Sequence, residues 1–302
     1  MGTPEFAVPS LSLLLANAYE VVGVVTAPDK PSGRGQAVSM SAVKLFAAER
    51  KLNVLQPENL KNTEFTAHLK RLQPHVIVVV AFRILPEEVY SIPTNGAFNL
   101  HASLLPKYRG AAPINWAIMR GEPETGVTTF LLQKKVDTGG ILLQARLPIK
   151  TDMTAGELHD ALADVGAEIV LHTVRLIEQG KARPKPQSDV EATLAPKIFK
   201  EDCRVDWKLD ASNVHNFIRG LSPRPCAFTM HRQTTIKLFR SKVSPETCAA
   251  EPGRVIEASN RLVVATGSGA IEILELQQQG KRHLPVSEFL RGYHMTTEDV
   301  LI

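Results

Sequence analysis

The sequence predicts a doubly wound, mostly parallel α/β sheet followed by a smaller β-barrel-like domain. In the first two-thirds of its 302 residues, continuous apolar segments alternate with helical patterns. Such alternation is typical of a parallel sheet covered by helices on both faces. Prolines then interrupt residues 180–196, and short strand patterns with glycine turns follow, as in small barrels. We therefore expect a first domain at residues 1–180, a linker at 181–204 and a second domain at 205–302.

The elements of the first domain follow from these patterns. Apolar, β-rich segments predict strands at residues 21–25, 75–81 and 97–101, and helical periodicity predicts helices at 9–18, 41–51 and 63–73. Residues 127–133 and 141–147 form a hairpin-like pair of strands, and a long amphipathic helix covers 155–179. In the second domain we expect strands at 236–239, 254–258, 262–265 and 271–276, with one helix at 211–221.

Composition excludes several classes of protein. Hydrophobic residues make up 44% of the chain, which favours a packed globular protein. No apolar run of about 18 residues predicts a membrane span, and the N-terminus has no secretory signal pattern. Cys203, Cys226 and Cys248 are widely spaced and suggest neither a zinc site nor a disulfide framework. The net charge of +4 is compatible with a nucleic-acid partner but indicates one only weakly.

Asn99 and His101 are the first candidate site residues. Side chains alternate between the two faces of a strand, so these two point the same way, roughly 6.6 Å apart. They lie at the C-terminal end of a predicted core strand, where open α/β sheets bind ligands. The alternative is a polar pair that is simply satisfied at the end of a strand.

Two further segments bear on this pair. Residues 103–114 form a dense loop that leads into a helix, as loops lining small-molecule pockets often do, although an ordinary strand-to-helix connection would look similar. Asp137 precedes Thr138 and two glycines in a turn. An aspartate there is commonly a turn residue, but a carboxylate beside a histidine can also orient it and stabilise its protonated form.

Together these motifs resemble the signature of the folate-dependent formyltransferases. The matching segments are Asn-x-His at 99–101, Ser-Leu-Leu-Pro-x-Tyr-Arg-Gly at 103–110 and Asp-Thr-Gly at 137–139. The resemblance covers nearly the whole chain and implies a Rossmann-like formyltransferase fold. In that family a short apolar strand precedes the Gly-Thr-Pro turn found here at 2–4. We expect either an earlier start than Met1 or a sheet that is one strand short.

The resemblance implies an enzyme of translation initiation. The formyl group of 10-formyltetrahydrofolate would move to the amino group of methionine on initiator tRNA, in the cytoplasm, with a monomeric protein and no metal. Asn99 would donate to the carbonyl oxygen, His101 would take the amine proton and Asp137 would hold His101. Four consecutive residues would contact the folate: Ser103, Leu104, Leu105 and Pro106.

The loop at 33–35 and the second domain resemble the branch of the family that acts on tRNA. Contacts with tRNA are expected from Lys30 and Arg34 in the loop and from Lys197 and Lys200 at the entry to an oligonucleotide-binding (OB)-like barrel. Two alternatives stay open. One is a formyltransferase that acts on a nucleotide or an amino sugar, and the other is a truncated, non-catalytic RNA-binding product.

Overall fold

The computed structural model describes residues 1–32, 37–246 and 250–302. The chain divides into two compact units. The first unit comprises Met1–Gly110, Thr125–Leu147 and His159–Leu194. The second unit comprises Ala111–Glu124, Pro148–Leu158 and Ala195–Ile302. No helix in the described part of the chain is both long and apolar enough to span a membrane.

The elements follow the predicted order closely. Up to residue 178 they are α1 (Val8–Ala16), β1 (Val24–Val25), β2 (Lys30–Ser32), β3 (Ala37–Ser39), α2 (Ala42–Glu49), β4 (Val54–Leu55), α3 (Thr63–Arg71), β5 (Ile77–Val80), α4 (Glu87–Tyr90), β6 (Ala97–His101), β7 (Arg109–Gly110), α5 (Pro113–Met119), β8 (Glu124–Leu131), β9 (Ile141–Pro148) and α6 (Ala155–Glu178). Beyond residue 178 lie β10 (Leu194–Ala195), α7 (Ala211–Leu221), β11 (Ala227–His231), β12 (Thr234–Ser244), β13 (Val255–Ala258), β14 (Leu262–Ala265), β15 (Ala270–Gln278), β16 (His283–Pro285) and α8 (Val286–Gly292).

Side-chain caps fix where two of the predicted helices begin. The Ser41 side chain accepts a hydrogen bond from the backbone N–H of Lys44, so α2 starts at the next residue. The Asn62 side chain accepts from the N–H groups of Glu64 and Phe65 at the start of α3. Each cap satisfies donors that the first helical turn leaves without intrahelical partners.

The first unit contains both parallel and antiparallel strand pairs. Strand β5 pairs parallel with β6, and β1 pairs parallel with β4. The four-stranded sheet has the order β5-β6-β8-β9, and β8 runs antiparallel to β6. Phe98 on β6 and Phe130 on β8 are fully buried. The α/β class is as predicted, and the sheet is mixed because β5 and β6 are parallel whereas β8 runs antiparallel to β6.

Met1 and Gly2 bridge β1 and β5. The Met1 amino group donates to the Val78 carbonyl (2.6 Å), and the Val80 N–H donates to the Met1 carbonyl (2.9 Å). On the other side, the Gly2 N–H donates to the Val25 carbonyl (3.0 Å). An apolar groove of about 170 Å³ adjoins this bridge. Burial lowers the pKa of the Met1 amino group to about 5.

The second unit is built on an antiparallel sheet of six strands. Its order is β11-β12-β15-β14-β13, and β16 pairs with β15. Helix α7 places Val214, Ile218 and Leu221 in the core of this unit, all with 0% exposure. The strands predicted at 236–239, 254–258, 262–265 and 271–276 correspond to β12, β13, β14 and β15. Closure of the sheet into an OB-like barrel stays a prediction.

A polar cluster ties the last residues of the chain to β11. His231, 1% exposed, has its Nδ1 atom 2.8 Å from the Tyr293 hydroxyl and its Nε2 atom 3.0 Å from Asp299 Oδ1. The backbone N–H of Thr296 also donates to the Asp299 carboxylate. The hydrogen bond from His231 is the largest of the contributions that hold the pKa of Asp299 well below its usual range.

Candidate active site

Strand β6 presents Asn99 and His101 as the alternation predicts. Its neighbours Phe98 and Leu100 are buried in the apolar core at 0% and 3% exposure. Asn99 is partly exposed, and no hydrogen bond to its side-chain amide is found from the part of the chain that the structure describes. An amide group in that position is available to a ligand.

The hydrogen bond of His101 determines which of its ring nitrogens can act as a base. The Nε2 atom lies 2.8 Å from the Tyr108 carbonyl oxygen. Because a carbonyl oxygen only accepts, we assign the ring proton to Nε2 in the neutral imidazole. The other nitrogen, Nδ1, then carries the lone pair and lies 4.0 Å from Asp137 Oδ2. A proton taken up at Nδ1 would therefore face a carboxylate.

A tight turn carries Asp137 to His101. Asp137 has a positive φ of 55°, and its Oδ2 accepts a hydrogen bond from the Gly110 N–H over 2.9 Å. Two residues later, a Cβ on Gly139 would lie 1.7 Å from the Leu131 carbonyl oxygen. Only glycine fits so close to a backbone, so this residue lets the turn pack against the end of β8. The structure thus brings together the predicted trio of Asn99, His101 and Asp137.

Residues 103–106, which are predicted to contact folate, are held in place by hydrogen bonds with side chains of β8 and β9. The Thr128 hydroxyl donates to the Ser103 carbonyl (2.6 Å) and accepts from the Leu105 N–H (3.1 Å). Gln144 donates to the Leu105 carbonyl over 2.8 Å. Ser103 and Leu105 are buried, whereas Leu104 and Pro106 are partly exposed. The segment has a fixed shape, and any ligand would meet mainly its two exposed side chains.

Comparisons with known proteins agree with this geometry. The family description "Formyl transferase" matches residues 1–174, and "Formyl transferase, C-terminal domain" matches residues 197–294. The chain belongs to the formyl transferase family. A methionyl-tRNA formyltransferase of Caldanaerobacter subterraneus subsp. tengcongensis is 48% identical over 100% of this chain and 98% of its own. The enzyme of that name from Porphyromonas gingivalis strain W83 is 47% identical over 99% and 96%.

Solved structures extend the likeness to the fold. The N-formyltransferase of Helicobacter canadensis, in complex with folinic acid and dTDP-3-aminofucose, has a TM-score of 0.69 at 22% identity. The match covers 90% of this chain and 96% of that one. HypX of Aquifex aeolicus in complex with tetrahydrofolic acid has a TM-score of 0.62 at 23% identity, over 84% and 47% of the two chains. The predicted family, fold class and formyltransferase activity are confirmed.

The residues predicted to bind tRNA are only partly described in this formyltransferase. Lys30 opens β2, but its side chain and the whole of Arg34 lie outside the described residues. Lys197 and Lys200 belong to the second unit and are exposed, and the Lys197 Nζ lies 5.0 Å from the centre of the Phe199 ring. Their role in RNA binding stays a prediction.

Three contributors to the site were not identified from the sequence. Tyr108 supplies the carbonyl for His101, and Gly110 supplies the N–H for Asp137. Gln187 donates to the carbonyls of Asp137 and Gly139 from within the predicted linker. The first two lie in the Tyr-Arg-Gly motif of the family signature, which could have indicated them. Gln187 stands between prolines and polar residues, and nothing in its neighbourhood distinguishes it.

No metal site is formed by the described side chains. Within residues 1–32, 37–246 and 250–302, no three His, Cys, Asp or Glu residues lie close enough to hold a metal ion. At the site itself, Asn99 supplies an amide donor, His101 an imidazole and Asp137 a carboxylate.

Proposed function

We propose that this chain transfers the formyl group of 10-formyltetrahydrofolate to the amino group of methionine on initiator tRNA, in the cytoplasm, during translation initiation. The names of its full-length relatives support the acceptor. The folate complexes of its structural neighbours support a folate-derived donor. The observation that carries the proposal is the position of His101 Nδ1, 4.0 Å from the Asp137 carboxylate.

The donor set fits a formyl group that is attacked by an amine. When bound, the folate supplies an activated formyl carbonyl. The Asn99 amide N–H would donate to the carbonyl oxygen as negative charge builds there, and loss of one such donor typically costs about 10²–10³ in rate. The partly exposed side chains of Leu104 and Pro106 would contact the folate, while Ser103 and Leu105 maintain the shape of the segment beneath it.

His101 acts as the general base in this proposal. The methionine nitrogen forms its bond to the formyl carbon and loses a proton, which Nδ1 of His101 accepts. The Asp137 carboxylate stabilises the resulting imidazolium, and the Tyr108 carbonyl keeps Nε2–H in place. Breaking the bond from the formyl carbon to the folate nitrogen returns that proton to the leaving group. The Ser103 hydroxyl is already committed to the Lys107 carbonyl, so direct transfer is favoured over a covalent intermediate on this serine.

Formylation kinetics with charged initiator tRNA test the assignment. Asn99→Ala and His101→Ala are each expected to lower kcat by about 100-fold or more in folded protein. Near-full activity in either variant would contradict the assigned role. The same assay with amino sugars and nucleotides as acceptors separates the proposed function from the small-amine alternative. Formyl transfer to those amines with no transfer to tRNA would overturn the proposed acceptor.

Binding of tRNA is proposed to involve Lys30, Arg34, Lys197 and Lys200. Each lysine or arginine that neutralises a phosphate releases counterions, so affinity should fall linearly with salt on a log–log scale. Replacing any one of them with alanine should reduce that slope by about one unit. Affinity that is independent of salt would exclude the proposed contacts. We further propose that the protein is a monomer, which analytical ultracentrifugation with and without tRNA tests.

A further inference from the structure

Gln187 connects the two backbone segments that hold the His101–Asp137 pair. Its Nε2 atom donates to the carbonyl of Asp137 over 3.0 Å and to that of Gly139 over 2.8 Å. Its Oε1 atom accepts from Arg109, from Nε over 3.1 Å and from Nη2 over 2.9 Å. Both amide hydrogens and the amide oxygen are therefore used within the first unit.

The two ends of the Gln187 bridge bond to segments that hold different members of the His101–Asp137 pair. The turn at Asp137 carries the carboxylate. On the other side, Arg109 lies between Tyr108, whose carbonyl holds His101, and Gly110, whose N–H holds the carboxylate. Both segments that determine the 4.0 Å distance from Nδ1 to Oδ2 thus depend on one glutamine.

Arg109 is itself fixed, so the bridge has a rigid base. Its side chain is 9% exposed, and its Nη1 atom donates to Asp189 Oδ1 over 2.7 Å. Its backbone N–H donates to the Thr193 carbonyl over 2.9 Å. A buried guanidinium that loses a hydrogen-bond partner incurs a large desolvation cost, which favours retention of Gln187 Oε1 as its acceptor.

We propose that Gln187 is a positioning residue for formyl transfer, which sets the approach of the Asp137 carboxylate to His101. This inference rests on the proposed function, because it assumes that the pair handles the amine proton. Gln187 touches no reacting atom and acts through the Asp137 turn. A misplacement of about 1 Å in a catalytic group can cost about 100-fold in rate, so loss of the Gln187 bridge should have a measurable effect on kcat.

Two substitutions test the bridge in full-length protein. Gln187→Ala removes all four hydrogen bonds, and Gln187→Glu keeps an acceptor for Arg109 but no longer donates to the two carbonyls. Both should lower kcat for formylation of charged initiator tRNA by about 10- to 100-fold, with KM for the folate little changed.

Asp189→Asn is the matched control. It contacts the same Arg109 guanidinium and, over 3.4 Å, the Lys135 ammonium group, but in the described residues it makes no hydrogen bond to the backbone of Asp137 or Gly139, and its side chain is 67% exposed. It should leave kcat unchanged. A loss in Asp189→Asn equal to that in Gln187→Ala would assign the effect to Arg109 and overturn the proposal.

A double variant separates positioning from general destabilisation. If Gln187 acts through the carboxylate, Gln187→Ala in an Asp137→Asn background should cause little further loss of kcat. Losses that multiply would show that Gln187 acts elsewhere and would overturn the inference. Full activity in Asp137→Asn alone would instead contradict the role given to the pair under the proposed function. A large loss in Asp137→Asn with none in Gln187→Ala would overturn only the inference.

Discussion

The Nε2 atom of His101 donates to the Tyr108 carbonyl over 2.8 Å, and in the proposed mechanism this contact determines which ring nitrogen takes up the proton. Because Nε2 is occupied, Nδ1 is the free base, and it faces the Asp137 carboxylate. The site therefore combines a fixed tautomer with a nearby counter-charge. Either feature alone would make the histidine less able to hold the proton between its removal from the amine and its return to the leaving group.

Asp137→Asn should uncouple this pair while preserving its shape. The Asn side chain still offers an oxygen to the Gly110 N–H but no negative charge to the imidazolium. We expect kcat to fall by about 100-fold, because the protonated ring loses its counter-charge. Single-turnover formylation of charged initiator tRNA measures the rate. A rate equal to that of the unmodified enzyme would show that the carboxylate does not act on His101.

Thr128→Val should loosen the segment predicted to contact folate. The substitution keeps the shape of the buried side chain but removes its hydrogen bonds to Ser103, Leu105 and Gln144. We expect the free energy of unfolding to fall by about 2–3 kcal/mol, because buried partners are left unsatisfied. The KM for the folate should rise as well, since the segment loses its fixed shape.

The neighbouring Thr129→Val is a control for this experiment. Thr129 is equally buried and makes two hydrogen bonds, with the Thr173 hydroxyl and the Leu143 N–H, but it does not contact the segment. It should reduce stability by a similar amount and leave the folate KM unchanged. Equal KM values in the two valine variants would show that Thr128 contributes only to stability. Denaturant unfolding and steady-state kinetics give the two quantities.

Asp299→Asn should weaken the second unit in a pH-dependent way. The folded-state pKa of Asp299 is lowered, so its stabilising contribution is present above the unfolded value of about 4 and is lost as the pH falls below it. The melting temperatures of variant and parent should therefore differ at pH 7 and converge under acidic conditions. Glu298→Gln removes the same charge one residue earlier on an exposed side chain and should have little effect. A constant difference at every pH would contradict the interaction with His231.

An apolar extension ahead of Met1 should stabilise the first unit. Four alternating Val and Ile residues would continue the bridge between β1 and β5 and fill the groove of about 170 Å³. We expect the melting temperature to rise by about 4 °C, because the free energy gained by burying apolar side chains exceeds the conformational entropy lost when the extension becomes ordered. A Gly-Ser-Gly-Ser extension of the same length is the control. Equal melting temperatures would show that the groove does not accept a strand.

The same two extensions should change how stability depends on pH. The Met1 amino group has a pKa of about 5 in the folded chain, whereas an unperturbed α-amino group has a pKa of about 8. The unfolded chain therefore binds more protons between these values, so stability is greatest above pH 8 and falls as the pH drops towards 5. Either extension replaces this amine with an amide and should remove the dependence. If the pH dependence of stability persists in the extended variants, it originates in another titratable group.

The strands and helices were more predictable than their directions and partners. Strand β6 was predicted with its observed bounds because the alternation of apolar and polar residues along 98–101 is a local pattern. The antiparallel course of β8 was not predicted, because periodicity carries no information on strand direction. The approach of Asp137 to His101 followed from family resemblance. Gln187 was missed because its contacts join residues 48 to 78 positions away, and such pairing leaves no local signal.

The groove beside Met1 and Gly2 also has a consequence for volume. Unfolding lets water occupy space that the packed chain leaves empty, so the volume of the system decreases in proportion to the voids that disappear. Any part of the groove that excludes water in the folded chain therefore makes the first unit more sensitive to hydrostatic pressure. An occupant that fills the groove would remove this contribution and leave the same fold more resistant to pressure.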